Sequence, residues 1–323
     1  MRKDLVTIGI TCYNAADMIG RAINSALNQT YRNIEIIIVD DCSTDGSLAV
    51  INTCAAKFSN VSVVQHRHNL GPAGARNSLL RHANGEFICF FDDDDVSHEG
   101  RVCRQRTALL AYEQRTGAVN VVCCASGERY YPNGYSLELP AIGTRGLAPQ
   151  GAEIAEYLLY FGRKKDRHYG GVMPACSVFG RTSTFKSLGG FDQGLRRVED
   201  NDFAIRLALA GGHIFGIADK LFIQFATSGG DKSPERNLNA EHQVVCKNEQ
   251  FLRQRGRYKY AVHWNRLRYW HFKRRYDRCL VEFLIVAMES PVVSVRHLLH
   301  SVPRRLLHEW KMRQEKYQNR VAR

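Results

Sequence analysis

The 323-residue chain lacks any uninterrupted apolar run near the eighteen or so residues that a membrane-crossing helix needs. Its opening, Met1-Arg2-Lys3-Asp4, leads straight into a strand pattern and not into a signal-peptide core. Both absences place the expected protein in the cytosol. It has ten cysteines but no C-x-x-C pair. A zinc site or a disulfide scaffold shows paired spacing, so these cysteines read as reduced, mostly buried thiols. No G-x-G-x-x-G follows the first strand, which removes the glycine turn that lets a backbone approach a dinucleotide pyrophosphate. The chain has no internal repeat and no low-complexity tract.

What is present suits a folded core. Hydrophobic residues make up 44% of the chain, enough for one large domain with an appendage or two modest ones. The net charge of +13 and a pI near 9.4 call for polyanionic company: nucleic acid, an anionic membrane leaflet or phosphorylated substrates. Strand signals at 6–10, 34–39, 61–65 and 87–91 alternate with helical patterns at 16–27, 47–57 and 73–82. This is the α/β layout of a doubly wound, mostly parallel, nucleotide-binding sheet flanked by helices. A helix near 99–112 and a strand near 120–124 follow. The Gly-, Pro- and Tyr-containing stretch 126–150 carries little periodicity and reads as a loop or hairpin lining a site. Helices are expected near 152–161 and 201–210, and strands at 213–217 and 221–224. Beyond about residue 237 the pattern becomes long, basic and aromatic helices. The expected division is a catalytic domain over 1–230, with halves of about 1–115 and 116–230, and a helical C-terminal extension over 231–323.

Carboxylates gather at element ends. Asp92, Asp93, Asp94 and Asp95 sit directly behind the apolar run Phe87-Ile88-Cys89-Phe90-Phe91. Adjacent like charges repel by roughly 1 kcal/mol per close pair at surface dielectric, so the cluster needs a cation or a very wet turn. The carboxyl ends of strands in open α/β sheets are where ligands bind. Asp40 and Asp41 end the second strand pattern. Ser43, Thr44 and Asp45 behind them suffice for a turn and a cap, which leaves the first two acids over. Glu199, Asp200 and Asp202 stand at a helix start, where capping needs one acid and three are present.

The ordered set Thr11-x-Tyr13-Asn14, Asp40-Asp41-x-Ser43-Thr44-Asp45, Ala75-Arg76-Asn77, Gly85-Glu86-Phe87, Asp92-x-Asp94-Asp95 and Glu199-Asp200-x-Asp202 resembles family 2 glycosyltransferases over about residues 5–225. The resemblance implies a GT-A fold and inverting hexosyl transfer from a nucleotide-diphosphate sugar, UDP-linked by expectation. It makes Thr11, Tyr13, Asp40, Asp41, Arg76 and Asp93 donor contacts. Asp92 and Asp94 become the presenters of a divalent metal, Mn²⁺ or Mg²⁺, a hard ion that takes oxygen ligands and neutralises the leaving diphosphate. Asp200 becomes the general base, Glu199 its neighbour near the acceptor, and Asp202 the residue that orients the loop. Gly189-Gly190-Phe191-Asp192 resembles the loop beneath the acceptor and equally suits a plain turn.

The acceptor implied is a glycan or lipid-linked sugar in cell-surface polysaccharide or lipopolysaccharide synthesis, with no nucleic acid as partner. The last ninety or so residues lack the spanning helices and the Q-x-x-R-W signature of processive synthases: Gln250-Phe251-Leu252-Arg253 is followed by Gln254. Addition of a single sugar is therefore expected. Apolar residues at near-helical spacing from Val292 to Trp310, with arginines between, suit either an interfacial helix on an anionic inner membrane face or a face packed on the catalytic domain. Pro303 is expected to divide that helix. Two other functions compete. A metal-dependent nucleotidyltransferase would want a Gly-rich phosphate loop near the first turn, and a non-enzymatic nucleic-acid binder leaves the acid clusters unexplained.

Overall fold

The computed structural model describes residues 1–226 and 233–321, the side chains of 313–321 excepted. The expected boundary near residue 231 lies outside the described residues. The chain divides into two compact units. One comprises Met1–Arg129, Leu137–Ala155 and Lys165–Thr227, and the other Tyr130–Ser136, Glu156–Lys164 and Ser228–Arg323.

The first unit opens with β1 (Arg2–Cys12), α1 (Ala16–Leu27), β2 (Ile34–Asp40), α2 (Ser47–Ala55), β3 (Val61–Gln65), α3 (Gly71–His82) and β4 (Gly85–Asp92). Residues 5–10 of β1 are buried without alternation, the mark of a strand covered on both faces. It pairs in parallel with β2 and β4, and β3 extends the sheet in parallel beyond β2. Val6, Ile8 and Ile10 form a core with Ile19, Ile23, Phe87 and Phe91. At Gly9 a Cβ would lie 2.8 Å from Leu79 Cδ1, so the missing side chain lets α3 lie close against β1.

The chain continues through β5 (Val96–Ser97), α4 (Arg101–Thr116), β6 (Val121–Tyr130), β7 (Ser136–Leu139), α5 (Ala152–Tyr160), a 3₁₀ turn at Ala175–Ser177, β8 (Val178–Arg181), α6 (Thr182–Ser187), α7 (Glu199–Leu209) and β9 (His213–Phe225). The strand order is β3-β2-β1-β4-β8-β6-β9-β5, with β7 beside β6. Strand β8 runs antiparallel to both β4 and β6, and β5 antiparallel to β9. The expected sheet is thus parallel through four strands and mixed beyond them.

Three expectations change in detail. The two strands expected at 213–217 and 221–224 are one continuous strand, β9. The stretch 126–150 is partly regular, because β6 runs on to Tyr130 and β7 pairs with it. Helix α7 starts at Glu199 and not near 201, so all three acids lie in its first turn.

The second unit contains α8 (Pro234–Lys247), α9 (Glu249–Gln254), α10 (Tyr258–Phe272), α11 (Tyr276–Glu289) and α12 (Pro291–Val321). Ser233 caps α8 by accepting the Arg236 N–H, with Pro234 in the first turn. Tyr260, Trp264, Val286 and His297 are buried, and the Trp264 ring stacks on His297 at 3.5 Å between centroids. Helix α12 runs through Pro303, contrary to the expected division. Leu299 and Pro303 are both exposed, so water can take the carbonyl that the missing N–H leaves over. Among the described residues no helix is long and apolar enough to cross a membrane.

Candidate active site

The register of the parallel strands sets the site. Thr11 pairs with Asp92 across β1 and β4, and Cys12 with Asp40 across β1 and β2. The segments after the three strands therefore emerge together at the carboxyl edge of the sheet. Hydrogen bonds then lock them. The Asn14 N–H donates to Ser43 Oγ at 3.0 Å, the Thr44 N–H to Asn14 Oδ1 at 2.8 Å, and the Tyr13 N–H to Asp93 Oδ2 at 2.9 Å. Asn14 adopts φ +52°, a left-handed conformation that asparagine tolerates better than most residues. The turn leaves the Tyr13 ring half exposed.

The two acids after β2 differ. Asp41 is engaged through both oxygens by its own chain: Oδ1 accepts from the Leu70 N–H at 2.8 Å and from His66 Nδ1 at 2.6 Å, and Oδ2 from the Gly71 N–H at 2.7 Å. His66 Nδ1, facing a carboxylate, carries the proton, and its Nε2 meets Ser78 Oγ at 2.7 Å. Asp41 thus ties the end of β2 to the start of α3. Asp40 is fully buried, and while its Oδ2 accepts the Ser43 N–H at 3.2 Å, its Oδ1 has no partner. A buried carboxylate oxygen left unmatched in this way is rare in folded proteins and retains its capacity to accept a hydrogen bond.

The aspartate run splits likewise. Ligand atoms of Asp92, Asp95 and Cys176 lie within 4.8 Å of one another. Asp94 is not in that group, but its charge acts on both Asp93 and Asp95, and its carbonyl accepts from Arg21 Nη2 at 3.1 Å. Burial, with the charges of Asp94 and Asp92, pushes the Asp93 carboxyl up to about 7. Burial, with the charges of Asp92 and Asp94, pushes Asp95 up to about 8. Asp95 Oδ2 is buried without a partner. Burial also holds the Cys176 thiol well above its usual range, so it stands there as a neutral S–H.

Arg76 joins this cluster to the acids of α7. It is buried on α3; its Nη1 bonds Glu199 Oε1 and its Nη2 reaches Asp92 Oδ1 at 3.3 Å. Burial and the Glu199 charge, opposed by Arg76, push the Asp200 carboxyl up to about 6. The residue before them, Val198, sits at φ +56°, an outlier for a β-branched side chain that turns the chain into α7. Asp202 accepts from Arg206 Nε at 2.8 Å, and the same guanidinium holds the carbonyls of Leu188 and Gly190 at 2.6 and 2.7 Å. Asn77 bonds the Phe191 carbonyl and N–H at 2.7 and 2.8 Å, and a Cβ at Gly190 (φ +70°) would lie 2.4 Å from Asn77 Oδ1. The Gly-Gly-Phe-Asp segment is therefore a clamped loop, fixed from α3 and α7 together.

Residues 7–181 match the profile described as Glycosyl transferase family 2. The chain belongs to that family. Its relatives include a UDP-Glc:alpha-D-GlcNAc-diphosphoundecaprenol beta-1,3-glucosyltransferase, WfaP of Escherichia coli. That protein is 47% identical over 92 residues, covering 28% of this chain and 36% of the relative. The succinoglycan biosynthesis protein ExoO of Rhizobium meliloti is 28% identical over 77% of this chain and 68% of its own. Matches to the first of these curated relatives span 36–44% of their length. The fold also matches Staphylococcus aureus TarS in complex with UDP-GlcNAc, with a TM-score of 0.56 at 20% identity over 83% of this chain and 73% of that one. A mannosyltransferase of Pyrobaculum calidifontis in complex with GDP-Man and Mn²⁺ gives 0.54 at 15% identity, over 93% and 82%. The GT-A expectation holds: this family 2 chain has the mixed α/β sheet with flanking helices and a helical C-terminal region.

A divalent cation fits this family 2 site. Crowded carboxylates at a strand end, one with a buried unmatched oxygen, are satisfied by a hard cation. The motif supplies Asp92 and Asp94, the geometry Asp92 and Asp95; Asp92 is common to both.

Sequence reasoning missed the supports. Arg101, on α4 and buried, donates to Gln105 Oε1, Ser97 Oγ and the Phe90 carbonyl at 3.0, 2.8 and 3.0 Å, and so braces the end of β4. Only its position nine residues behind an acidic strand end hints at this. Asn77 stood in the Ala75-Arg76-Asn77 motif without an assigned role, and His66 carried no signal.

Proposed function

We propose that this chain transfers one sugar, with inversion, from a UDP-sugar to a hydroxyl of a glycan or lipid-linked acceptor at a membrane surface, in cell-surface polysaccharide or lipopolysaccharide assembly. The observation that carries the reading is Arg76, whose guanidinium spans from Asp92 at the β4 end to Glu199 beside Asp200. It holds the donor end and the base end of one site in fixed relation. The UDP donor is supported by the relative named as a UDP-Glc transferase acting on a diphosphoundecaprenol acceptor.

In this reading Asp40 Oδ1 accepts an N–H of the donor base, with Thr11 and the exposed Tyr13 ring beside it. Asp41 acts from behind, as the buttress that fixes the β2 and α3 ends. Asp93, tied to the Tyr13 N–H, sets the turn that faces the nucleotide. Asp92 and Asp94 would hold Mn²⁺ or Mg²⁺, with Asp95 Oδ2 the remaining carboxylate oxygen of the cluster. When bound, the ion neutralises charge on the departing diphosphate. The acceptor oxygen bonds the anomeric carbon as the bond from that carbon to the diphosphate oxygen breaks on the opposite face, and the hydroxyl proton passes to Asp200. A carboxyl raised to about 6 is ionised at neutral pH yet more basic than an ordinary aspartate, which suits that task.

The test is release of UDP from UDP-sugars that depends on added lipid-linked saccharide acceptor. Acceptor-dependent release that Asp200→Asn abolishes supports the reading. Release that continues in that variant contradicts it.

A further inference from the structure

Helix α12 is amphipathic in reverse, and α11, which buries Val286, carries further apolar residues on its outward side. On α12 the side chains turned inward are polar: Ser294 and His297 are buried, and Ser294 Oγ meets the Val286 and Ser290 carbonyls at 2.8 and 2.9 Å. Those turned outward are Val292, Val295, Leu299, Val302 and Leu306, each 44–67% exposed. On α11, Leu280, Leu284 and Met288 are more than half exposed as well, and Trp310 stands outward near the end of the described side chains. Ordinary helices in water place such residues inside. About ten half-exposed large apolar side chains exceed the few hundred Å² of apolar patch that soluble monomers carry.

The charge of the second unit names what covers this face. Residues 233–323 hold 20 of the chain's 45 lysines and arginines but only 8 of its 32 acids, which places 12 of the 13 net positive charges there. From 272 to 312, eight basic residues face four acids. Each of the four is already paired: Asp277 with Arg275, Glu282 with His263, Glu289 with Lys259 and Glu309 with Arg305. A second copy of the chain meeting this face would set two basic rims against each other. An anionic lipid surface takes both parts, its headgroups the arginines and its acyl boundary the apolar stripe.

We infer that the outward face of α11 and α12 docks the protein on an anionic bilayer, the helices lying in the headgroup plane. As a route to a lipid-linked acceptor it rests on the reading above; as a binding surface it is tested separately.

The experiment is co-sedimentation of the full chain with vesicles of phosphatidylcholine alone or mixed with phosphatidylglycerol. The inference expects partitioning onto the mixed vesicles at low salt at least about tenfold above the neutral ones, and weaker in high salt. The double variant Leu299→Glu with Leu306→Glu should lose at least about tenfold of this binding. Its thermal shift with UDP-sugar should equal that of the wild type, which shows an intact fold. In the wild type, brominated acyl chains should quench a fluorescence component that Trp310→Phe removes. Binding no better than to neutral vesicles, or a double variant that binds like the wild type, overturns the inference. So does a dimer in sedimentation velocity that Leu299→Glu disperses without any vesicle binding. A wild type that sediments with anionic vesicles but shows no shift with any UDP-sugar sinks the transfer reading and leaves the docking face standing.

Discussion

Arg76 and Glu199 stand 123 positions apart and meet in a buried ion pair, with Asp92 on the other arm of the same guanidinium. Arg76 and Glu199 are removed from water and Asp92 partly so, and such a set holds together only while all are present. Arg76→Ala is therefore predicted to cost about 3–5 kcal/mol in denaturant unfolding, because it leaves the buried Glu199 carboxylate uncompensated. Arg76→Lys keeps the charge but not the two-armed reach. It should lose less stability and still cut transfer at least about tenfold, read as kcat in the acceptor-dependent assay.

Asp200→Asn should lower kcat by roughly 10²–10⁴-fold while UDP-sugar affinity stays within about twofold, since the amide keeps the shape and loses only the base.

The wild-type pH profile follows from the same carboxyl. Burial raises it to about 6, and the base works ionised, so kcat/KM should fall as pH drops through about 6. An unperturbed aspartate would hold activity down to about 4. A flat profile between pH 7 and 5 contradicts the assignment.

Asp40 and Asp41 should separate function from stability. In Asp40→Asn the amide oxygen can still accept the Ser43 N–H, but an NH₂ replaces the unmatched acceptor. UDP affinity should drop about tenfold or more by calorimetry, with little change in melting temperature. Asp41→Ala removes the partner of two N–H groups and of His66, and should cost about 3 kcal/mol of stability.

His297 gives the second unit an acid limit. Burial, with nearby Arg268 and His300, holds its imidazole down to about 3. A depressed histidine contributes stability that is complete above its unfolded value of about 6.5 and is lost as pH falls from there toward 3, by up to about 5 kcal/mol. Far-ultraviolet dichroism should show helix loss on acidification, and His297→Phe, which keeps an aromatic ring against Trp264, should delay it.

Much of this was legible in the sequence. Runs such as Val6–Ile10 had to be buried on both faces, and acids placed immediately after them had to mark the sheet's carboxyl edge. The resemblance to the family put Arg76 near the donor and Glu199 near the acceptor. What could not be read were contacts set by side-chain direction. Asp40 and Asp41 are neighbours with identical chemistry, yet one is matched internally and the other is not. Asp95 joins Asp92 and Cys176 within 4.8 Å, a grouping that motif spacing alone, which singles out Asp92 and Asp94, does not give. The continuous β9 was hidden by Gly216 and the charged Asp219-Lys220, whose polarity reflects exposure at that point along one strand.

The most direct test of the donor, metal and base arrangement is a thermal-shift titration of the wild type and Asp92→Asn with UDP-sugars, with and without Mn²⁺. A bound donor raises apparent stability by mass action. At least one UDP-sugar should raise the melting temperature of the wild type, more so with Mn²⁺, and Asp92→Asn should lose the Mn²⁺-dependent part. No shift from any nucleotide sugar, or an equal shift in Asp92→Asn, contradicts the account.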